Sequence, residues 1–458
     1  MYSTDDTIVA IATPVGHGGI GIVRLSGPQA LDIACSVLRR KKPLQARHAT
    51  LARAFQSGDY SVNSPIDQVL ATYFKSPASY TGEDVVEFSA HGSPIVLERI
   101  VTAAIDARAR LAEPGEFTLR AFLSGRFDLV QAEAVADLVN AVTPAQARVA
   151  FDQLEGTLTT AITELDTKLF NLVSRLEASL DFPEERYHLV TRGATLDEMQ
   201  VITEHVQGLI ADGRRHRVLR EGRQVVILGK PNTGKSSLFN RLIGVDRAIV
   251  TTMAGTTRDL VTETIDLNGI PVRLVDTAGI HPSDNLVEVE GIARSRKAGE
   301  VADLLVLVFD RSRPIEQADE SLLQETANSR RLFVLNKTDL PSFWPADRLN
   351  AEKGRGVVET SMSKQVGMDQ LRTAMVRELH DDEIQRDSGS ISNVRHLELL
   401  KLALKSLNQG AESVDEGKSE EFILADLRDA RTALEEITGA RAPDDLLHNI
   451  FKHFCIGK

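Results

Sequence analysis

Two cysteines, Cys35 and Cys455, are all this 458-residue chain holds. That is too few for a disulfide framework and fits a reducing compartment. No apolar run approaches the roughly 20 residues that span a bilayer, so no membrane segment is expected. No lysine or arginine precedes Arg24, while Asp5 and Asp6 lie near the start. Neither a secretory nor a transit peptide fits that pattern, and a cytoplasmic location is expected. The net charge of −12 argues against a dedicated nucleic-acid coat. The local basic runs Arg39 to Lys42 and Arg214 to Arg217 read as solvated faces. Low-complexity segments and internal repeats are lacking too. What remains, 42% hydrophobic and 26% charged residues, suits soluble globular cores, and the length suggests about three domains.

The most informative stretch is Gly229-Lys230-Pro231-Asn232-Thr233-Gly234-Lys235-Ser236, followed by Ser237. It matches the phosphate-loop pattern G-x-x-x-x-G-K-[S/T]. An apolar run, Gln224 to Leu228, precedes it, and Leu238, Phe239, Leu242 and Ile243 follow at helical spacing. That strand-loop-helix context separates a working loop from a chance glycine turn. The glycines let the backbone wrap a phosphate, and successive N–H groups with the helix N-terminus supply positive potential. Lys235 is expected at the β- and γ-phosphates and Ser236 at Mg²⁺.

The base is indicated a hundred residues later, where an apolar strand ends in Asn336-Lys337-Thr338-Asp339. A carboxylate at Asp339 can accept both N1–H and N2–H₂ of guanine. Adenine offers no such pair and would leave buried groups unpaired, so the nucleotide is GTP. Asn336 and Lys337 would brace the phosphate loop and cover the ring. Ser361-Met362-Ser363 falls where the last base-contacting loop belongs. Between these lie Asp276-Thr277-Ala278-Gly279, ending another apolar strand, and the threonine-rich loop Thr251-Thr252-Met253-Ala254-Gly255-Thr256-Thr257. Such loops order around a γ-phosphate and relax after hydrolysis. Asp276 would meet Mg²⁺ through water, Gly279 would sense the γ-phosphate, and Thr257 is the choice for a second Mg²⁺ hydroxyl. Many small GTPases place a water-orienting glutamine directly after D-x-x-G; here Ile280 stands there. Arg258 is a candidate arginine finger, but reads rather as a structural partner of Asp259 or another carboxylate. Glu288 is the nearest replacement for the glutamine, although on residues alone it reads as a solvated carboxylate.

Short β-like runs (Thr7 to Ala12, Ile20 to Leu25, Val69 to Phe74, Val85 to Ser89) fill residues 1–120 and suggest a compact α+β unit. From Asp128, helical spacing takes over (Val130, Ala134, Leu138, then Leu154 through Leu176), with Pro144 expected to interrupt it. Helical pattern returns at Val394 to Val414 and Glu420 to Ile437, and Pro443 opens a last helix. The expected architecture is a multidomain α/β chain. It has an α+β domain (1–120), a helical domain in two parts (121–221 and 381–458), and a Ras-like P-loop GTPase domain (222–380) inserted into it.

With those residues laid out, the chain resembles the MnmE (TrmE) family of tRNA-modifying GTPases along nearly its whole length. The resemblance is carried by Asp6-Thr-Ile-Val-Ala, Gly18 through Gly27, Ser79-Tyr-Thr-Gly-Glu83-Asp and Pro114 through Phe122. Asp128 through Ala134 and the terminal Phe454-Cys455-Ile-Gly-Lys458 extend it. The GTPase strings alone would also fit Era-like ribosome-assembly GTPases; the flanking ones would not. The resemblance implies a homodimer whose N-terminal domain binds 5-formyl- or 5,10-methylenetetrahydrofolate. It implies work with MnmG, an FAD- and NADH-dependent partner, in a heterotetramer or larger complex. Together they would place an aminomethyl or carboxymethylaminomethyl group on C5 of the wobble uridine of certain tRNAs. It further implies a GTPase stimulated by K⁺ and by G-domain pairing, with Asn232, Thr251, Met253 and Thr256 at K⁺ and Glu288 orienting water. The folate contacts carry over to Arg24, Glu83, Arg126 and Lys458; at Arg126 the family commonly has lysine. Without the resemblance, Arg24 would read as an ordinary surface arginine. Cys455 is implied to matter for modification, its role open between thiolate nucleophile and structural packing.

Overall fold

A computed structural model of the protein describes residues 5–56, 64–181, 191–246, 261–276, 302–343, 356–379 and 393–457. The first sheet contains β1 (Ile8–Ile11), β2 (Gly18–Ser26), β3 (Thr50–Ala54), β4 (Asp67–Phe74), β5 (Val85–Gly92) and β6 (Arg110–Leu111). Their order is β3-β4-β5-β2-β1-β6, antiparallel throughout except for β1 with β6. An antiparallel sheet needs only one covered face. Here the inward residues Val23, Leu25, Val69, Ala71, Val86 and Phe88 meet Ile33, Val37, Ile100 and Ala104 of α1 (Ala30–Val37) and α2 (Pro94–Asp106). The edge strand β3 was not among the sequence expectations. Thr-Leu-Ala-Arg-Ala has little intrinsic β preference, and its pairing with β4, Leu51 opposite Leu70, makes it a strand.

The second sheet holds β7 (Arg223–Leu228), β8 (Val261–Leu267), β9 (Ile270–Asp276), β10 (Leu304–Asp310), β11 (Arg331–Asn336) and β12 (Val357–Glu359). The order is β12-β11-β10-β7-β9-β8, with only the β8–β9 hairpin antiparallel. Every residue of β10 and β11 is buried. Apolar clusters cover both faces of this sheet, which is why its strands read as continuous hydrophobic runs. Its described helices are α8 (Lys235–Asp246), α9 (Gln317–Glu325) and α10 (Met368–Leu379).

The remaining described helices are α3 (Glu116–Leu123), α4 (Leu129–Asn140), α5 (Pro144–Leu154), α6 (Thr157–Asp181) and α7 (Arg192–Glu221). α11 (Val394–Asp415), α12 (Glu420–Thr438) and α13 (Asp444–Phe451) complete them. Pro144 opens α5, where a missing N–H costs nothing. No described helix is long and apolar enough to cross a membrane. Two compact units result. One comprises Met1–Ala136, Phe151–Gln207 and Glu398–Lys458; the other comprises Asp137–Ala150 and Gly208–Leu397.

Within the first unit the two ends of the chain meet. Leu447, Phe451 and Phe454 pack with Leu119 and Leu129. Gly115 (φ 69°) lies so close that a Cβ there would stand 2.6 Å from the Phe451 carbonyl oxygen, and a Cβ on Gly457 (φ 98°) would overlap the Ile11 carbonyl. Beneath this contact Arg120 is 2% exposed. Its guanidinium donates to Asp6 Oδ1 (2.5 Å), Glu116 Oε1 (2.9 Å) and Glu83 (3.3 Å). Burial pushes the Asp6 and Glu116 carboxyls up. Their hydrogen bonds and ion pairs to Arg110 and Arg120 more than offset this and hold both below their ordinary values.

Arg120→Met should therefore leave half-buried Asp6 and buried Glu116 with Arg110 as their one remaining described cation. It should lower stability at pH 7 by about 3 kcal/mol, read as a fall in melting temperature of the full chain. Both acids have folded pKa values below their unfolded ones. Their contribution is complete above the unfolded values and is lost as pH falls through the folded ones. The gap between variant and parent should shrink below about pH 4; a constant gap would contradict this.

Candidate functional site

The carboxyl ends of parallel strands are where ligands bind in open α/β sheets, and the sequence motifs of the second unit converge there. β7 runs into the loop Gly229 to Gly234, and α8 begins at Lys235. Gly229 (φ 153°) leaves no room for a Cβ beside the Val308 carbonyl; at Gly234 (φ 104°) one would overlap Asn336 Nδ2. Asn232 adopts a left-handed φ of 64°. Thr233 Oγ1 donates to the Lys230 carbonyl (2.9 Å), and so does Lys235 Nζ (2.7 Å), which curls the loop on itself. Lys235 is buried, and that burial lowers its pKa against the opposing charge of Asp276. Asp276, also buried, ends β9 opposite Ile227. Ser236 and Ser237 lie exposed in the first turn of α8. Hydroxyl and carboxylate oxygens at Ser236 and Asp276 are the donor type that Mg²⁺ takes.

The base-reading corner is more fully built. Asn336, 2% exposed, donates from Nδ2 to the Thr233 carbonyl (2.8 Å), and its Oδ1 accepts from the Met362 N–H (3.3 Å). Lys337 sits at φ 66°, with Nζ 2.5 Å from Asp310 Oδ2. Burial raises the Asp310 pKa, but Lys337 and Ser312 overcome it and hold the carboxyl below the usual range. Thr338 donates from N–H and Oγ1 to the Thr360 carbonyl, both at 3.1 Å. Asp339 Oδ1 accepts from Ser361 Oγ (2.6 Å), which depresses its pKa, and Ser361 Oγ lies 2.9 Å from Ser363 Oγ. An ionised carboxylate with one orienting donor is what the paired N–H groups of guanine require.

Asp310 was not singled out from the sequence. Its signal is a lone carboxylate closing the all-apolar strand Leu304 to Phe309. Of the expected site residues, Thr251, Thr252, Met253, Ala254, Gly255, Thr256 and Thr257 lie outside the described residues. So do Thr277, Ala278, Gly279, Glu288 and Lys458.

A second cluster lies in the first unit. Arg24, far from an ordinary surface arginine, is 17% exposed. It donates from Nε to Glu87 (2.8 Å) and from a terminal nitrogen to the Gly457 carbonyl (3.3 Å). Its guanidinium stands 4.9 Å from the Tyr80 ring centre and 5.7 Å from that of Phe117. Glu83 accepts from Ser26 Oγ (2.7 Å) and from Arg120. A carboxylate, a cation and aromatic faces suit a flat heterocycle with N–H donors, as a pterin is. Cys455 is exposed, its carbonyl accepting from the Gly115 N–H (3.4 Å); it is not packed into a core. Arg126 lies exposed on the turn after α3, outside the bonding of Arg24 and Glu83. Sequence reading missed Glu87, Ser26 and Arg120. The period-two pattern of β2, which places Arg24 and Ser26 on one face, was the available signal.

Two family models match the chain. The family described as GTP-binding protein TrmE N-terminus matches residues 7–126, and the MnmE helical domain matches residues 129–455. A tRNA modification GTPase MnmE of Koribacter versatilis is 42% identical over 460 residues, covering 99% of both chains. Those of Acetivibrio thermocellus (37% over 460 residues, 100% of both) and Alkaliphilus metalliredigens (40% over 461 residues, 99% of both) are similar. The chain belongs to the MnmE family of tRNA modification GTPases.

Proposed function

We propose that this protein hydrolyses GTP to drive modification of tRNA at C5 of the wobble uridine. It would act as a cytoplasmic homodimer together with MnmG, a partner that uses FAD and NADH, adding an aminomethyl or carboxymethylaminomethyl group. The observation that carries the nucleotide half is the buried Asn336 side chain. It links the phosphate loop at Thr233 to the base loop at Met362, next to an Asp339 already oriented by Ser361. Family membership and the Arg24–Glu83 cluster, closed by the C-terminal Gly457, support the one-carbon half.

Bound Mg²⁺ and K⁺ would supply positive charge where the transferred phosphoryl group develops negative charge. Ser236 and Thr257 would hold the first, and Asn232 with Thr251, Met253 and Thr256 the second. Lys235 would contact the β- and γ-phosphates after leaving the Lys230 carbonyl. Glu288 would orient the attacking water, because Ile280 cannot. A tetrahydrofolate, as its 5-formyl or 5,10-methylene form, would supply the one-carbon unit. Glu83 would accept from its pterin N–H groups; Arg24, Arg126 and Lys458 would face its carboxylates.

If Asp339 reads guanine, Asp339→Asn should weaken GTP by about two orders of magnitude or more, in line with sites that recognise a polar edge, and favour xanthosine triphosphate. Titration with fluorescent nucleotides decides it; unchanged GTP affinity would overturn the assignment.

Hydrolysis should rise strongly in K⁺ and much less in Na⁺, and Asn232→Ala should remove the difference. Glu288→Ala should bind GTP normally yet turn it over slowly, since a water-orienting group acts on the chemical step. Steady-state rates in the two salts test both; equal rates, or a Glu288 variant at parental speed, would contradict the mechanism.

A further inference from the structure

We infer that Arg241 is a positioning residue for guanine recognition, a strut that sets the base loop from the helix bearing the phosphate loop. This rests on the reading of Asp339 as the guanine contact. α8 buries Leu238, Phe239 and Leu242 against the sheet and turns the stripe Ser237, Asn240, Arg241 and Gly244 outward. That stripe, with Met362 and Ser363, lines an open cavity of about 640 Å³. Across it, Arg241 donates from one terminal nitrogen to the Met362 carbonyl at 3.3 Å. Arg241 forms no ion pair with a described carboxylate. Among the described residues the partner of its guanidinium is that peptide carbonyl and not an acid.

The bond falls at a consequential place. The Met362 N–H is held by Asn336 Oδ1, so the two peptide groups of Met362 are gripped from opposite sides, one by Asn336 and one by Arg241. Ser361, one residue earlier, donates to Asp339 Oδ1. Met362 is itself buried in the core that holds Leu238, Phe239 and Leu242, so apolar packing anchors its side chain, while the Arg241 bond crosses the open gap beside it and sets where its carbonyl lies. Released from Arg241, the loop keeps the Asn336 bond to Met362, the paired Ser361–Val366 backbone bonds and the buried Met362 side chain. What it loses is the donor that fixes the Met362 carbonyl. Ser361 then drifts from Asp339, and the carboxylate loses the orientation that lets it meet two N–H groups at once. Arg241 touches neither base nor phosphate in this account.

The test compares GTP with inosine triphosphate, whose base lacks the exocyclic amine and so makes one bond fewer to Asp339. On the full chain, Arg241→Ala should raise the Kd for GTP about five-fold, the range of one hydrogen bond. It should raise that for inosine triphosphate less, so that the preference for GTP shrinks. KM for GTP should rise while kcat at saturation holds. Arg241→Lys, which keeps a donor of similar reach, should restore most of the preference. If the alanine variant does not fold, Arg241→Gln is measured instead, since its shorter amide cannot cross the gap. An unchanged preference, whether both affinities hold or fall together, would overturn the inference. Failure here is distinct from failure of the guanine reading: that reading falls if Asp339→Asn leaves GTP affinity intact, whatever Arg241 does.

Discussion

One buried amide organises the nucleotide end of this protein. Asn336 closes β11 where water cannot solvate its side chain, so each polar atom needs a protein partner. Nδ2 finds the Thr233 carbonyl in the phosphate loop, and Oδ1 finds the Met362 N–H in the base loop. Two loops far apart in sequence are thus fixed against each other by a group that loses most if either bond is left unmade. The constraint reaches back into the sequence: Gly234 has to be glycine because Asn336 occupies the space a Cβ would take. Lys337 and Asp339, the neighbours of Asn336, inherit their placement from the same corner and are tied down in turn by Asp310 and Ser361.

The first unit solves a different problem by closing the chain on itself. Phe451 and Phe454 seat the end of α13 on α3 and α4, and Gly457 presses against the end of β1. The Gly457 carbonyl then accepts from Arg24, a residue 433 positions earlier. A buried set of charges, centred on Arg120, stiffens the floor beneath. Arg120 also orients Glu83, so the same guanidinium serves both the fold and the cluster.

Much of this was legible in the residues because local chemistry dictates it. A phosphate loop must be glycine-rich and stand between strand and helix, and buried parallel strands must read as apolar runs; both patterns are plain around Gly229 and along β10 and β11. Pro443 marks a helix start for the same local reason, and Pro144, expected to interrupt the helical series, falls at the break after α4, where it opens α5. What was not legible depends on partners brought from elsewhere. Edge strand β3 is a strand because β4 is beside it. Arg24 looked like a solvated arginine, yet Glu87, Tyr80 and Gly457 surround it. Asp310 holds Lys337 across a gap of 27 residues, and no local pattern announces it. The switch-loop residues, with Glu288 among them, lie outside the described residues, so their assignments rest on motif and family.

The central claim is that one chain carries a GTP site and a separate one-carbon site completed by its own C-terminus. The direct test removes Ile456 to Lys458 and follows two outputs on the same preparation. These are GTP turnover and, by mass spectrometry of nucleosides, the C5-modified wobble uridine formed in tRNA with the partner present. The account predicts GTP turnover close to that of the parent and loss of the modified nucleoside. Normal modification by the truncated protein would contradict it.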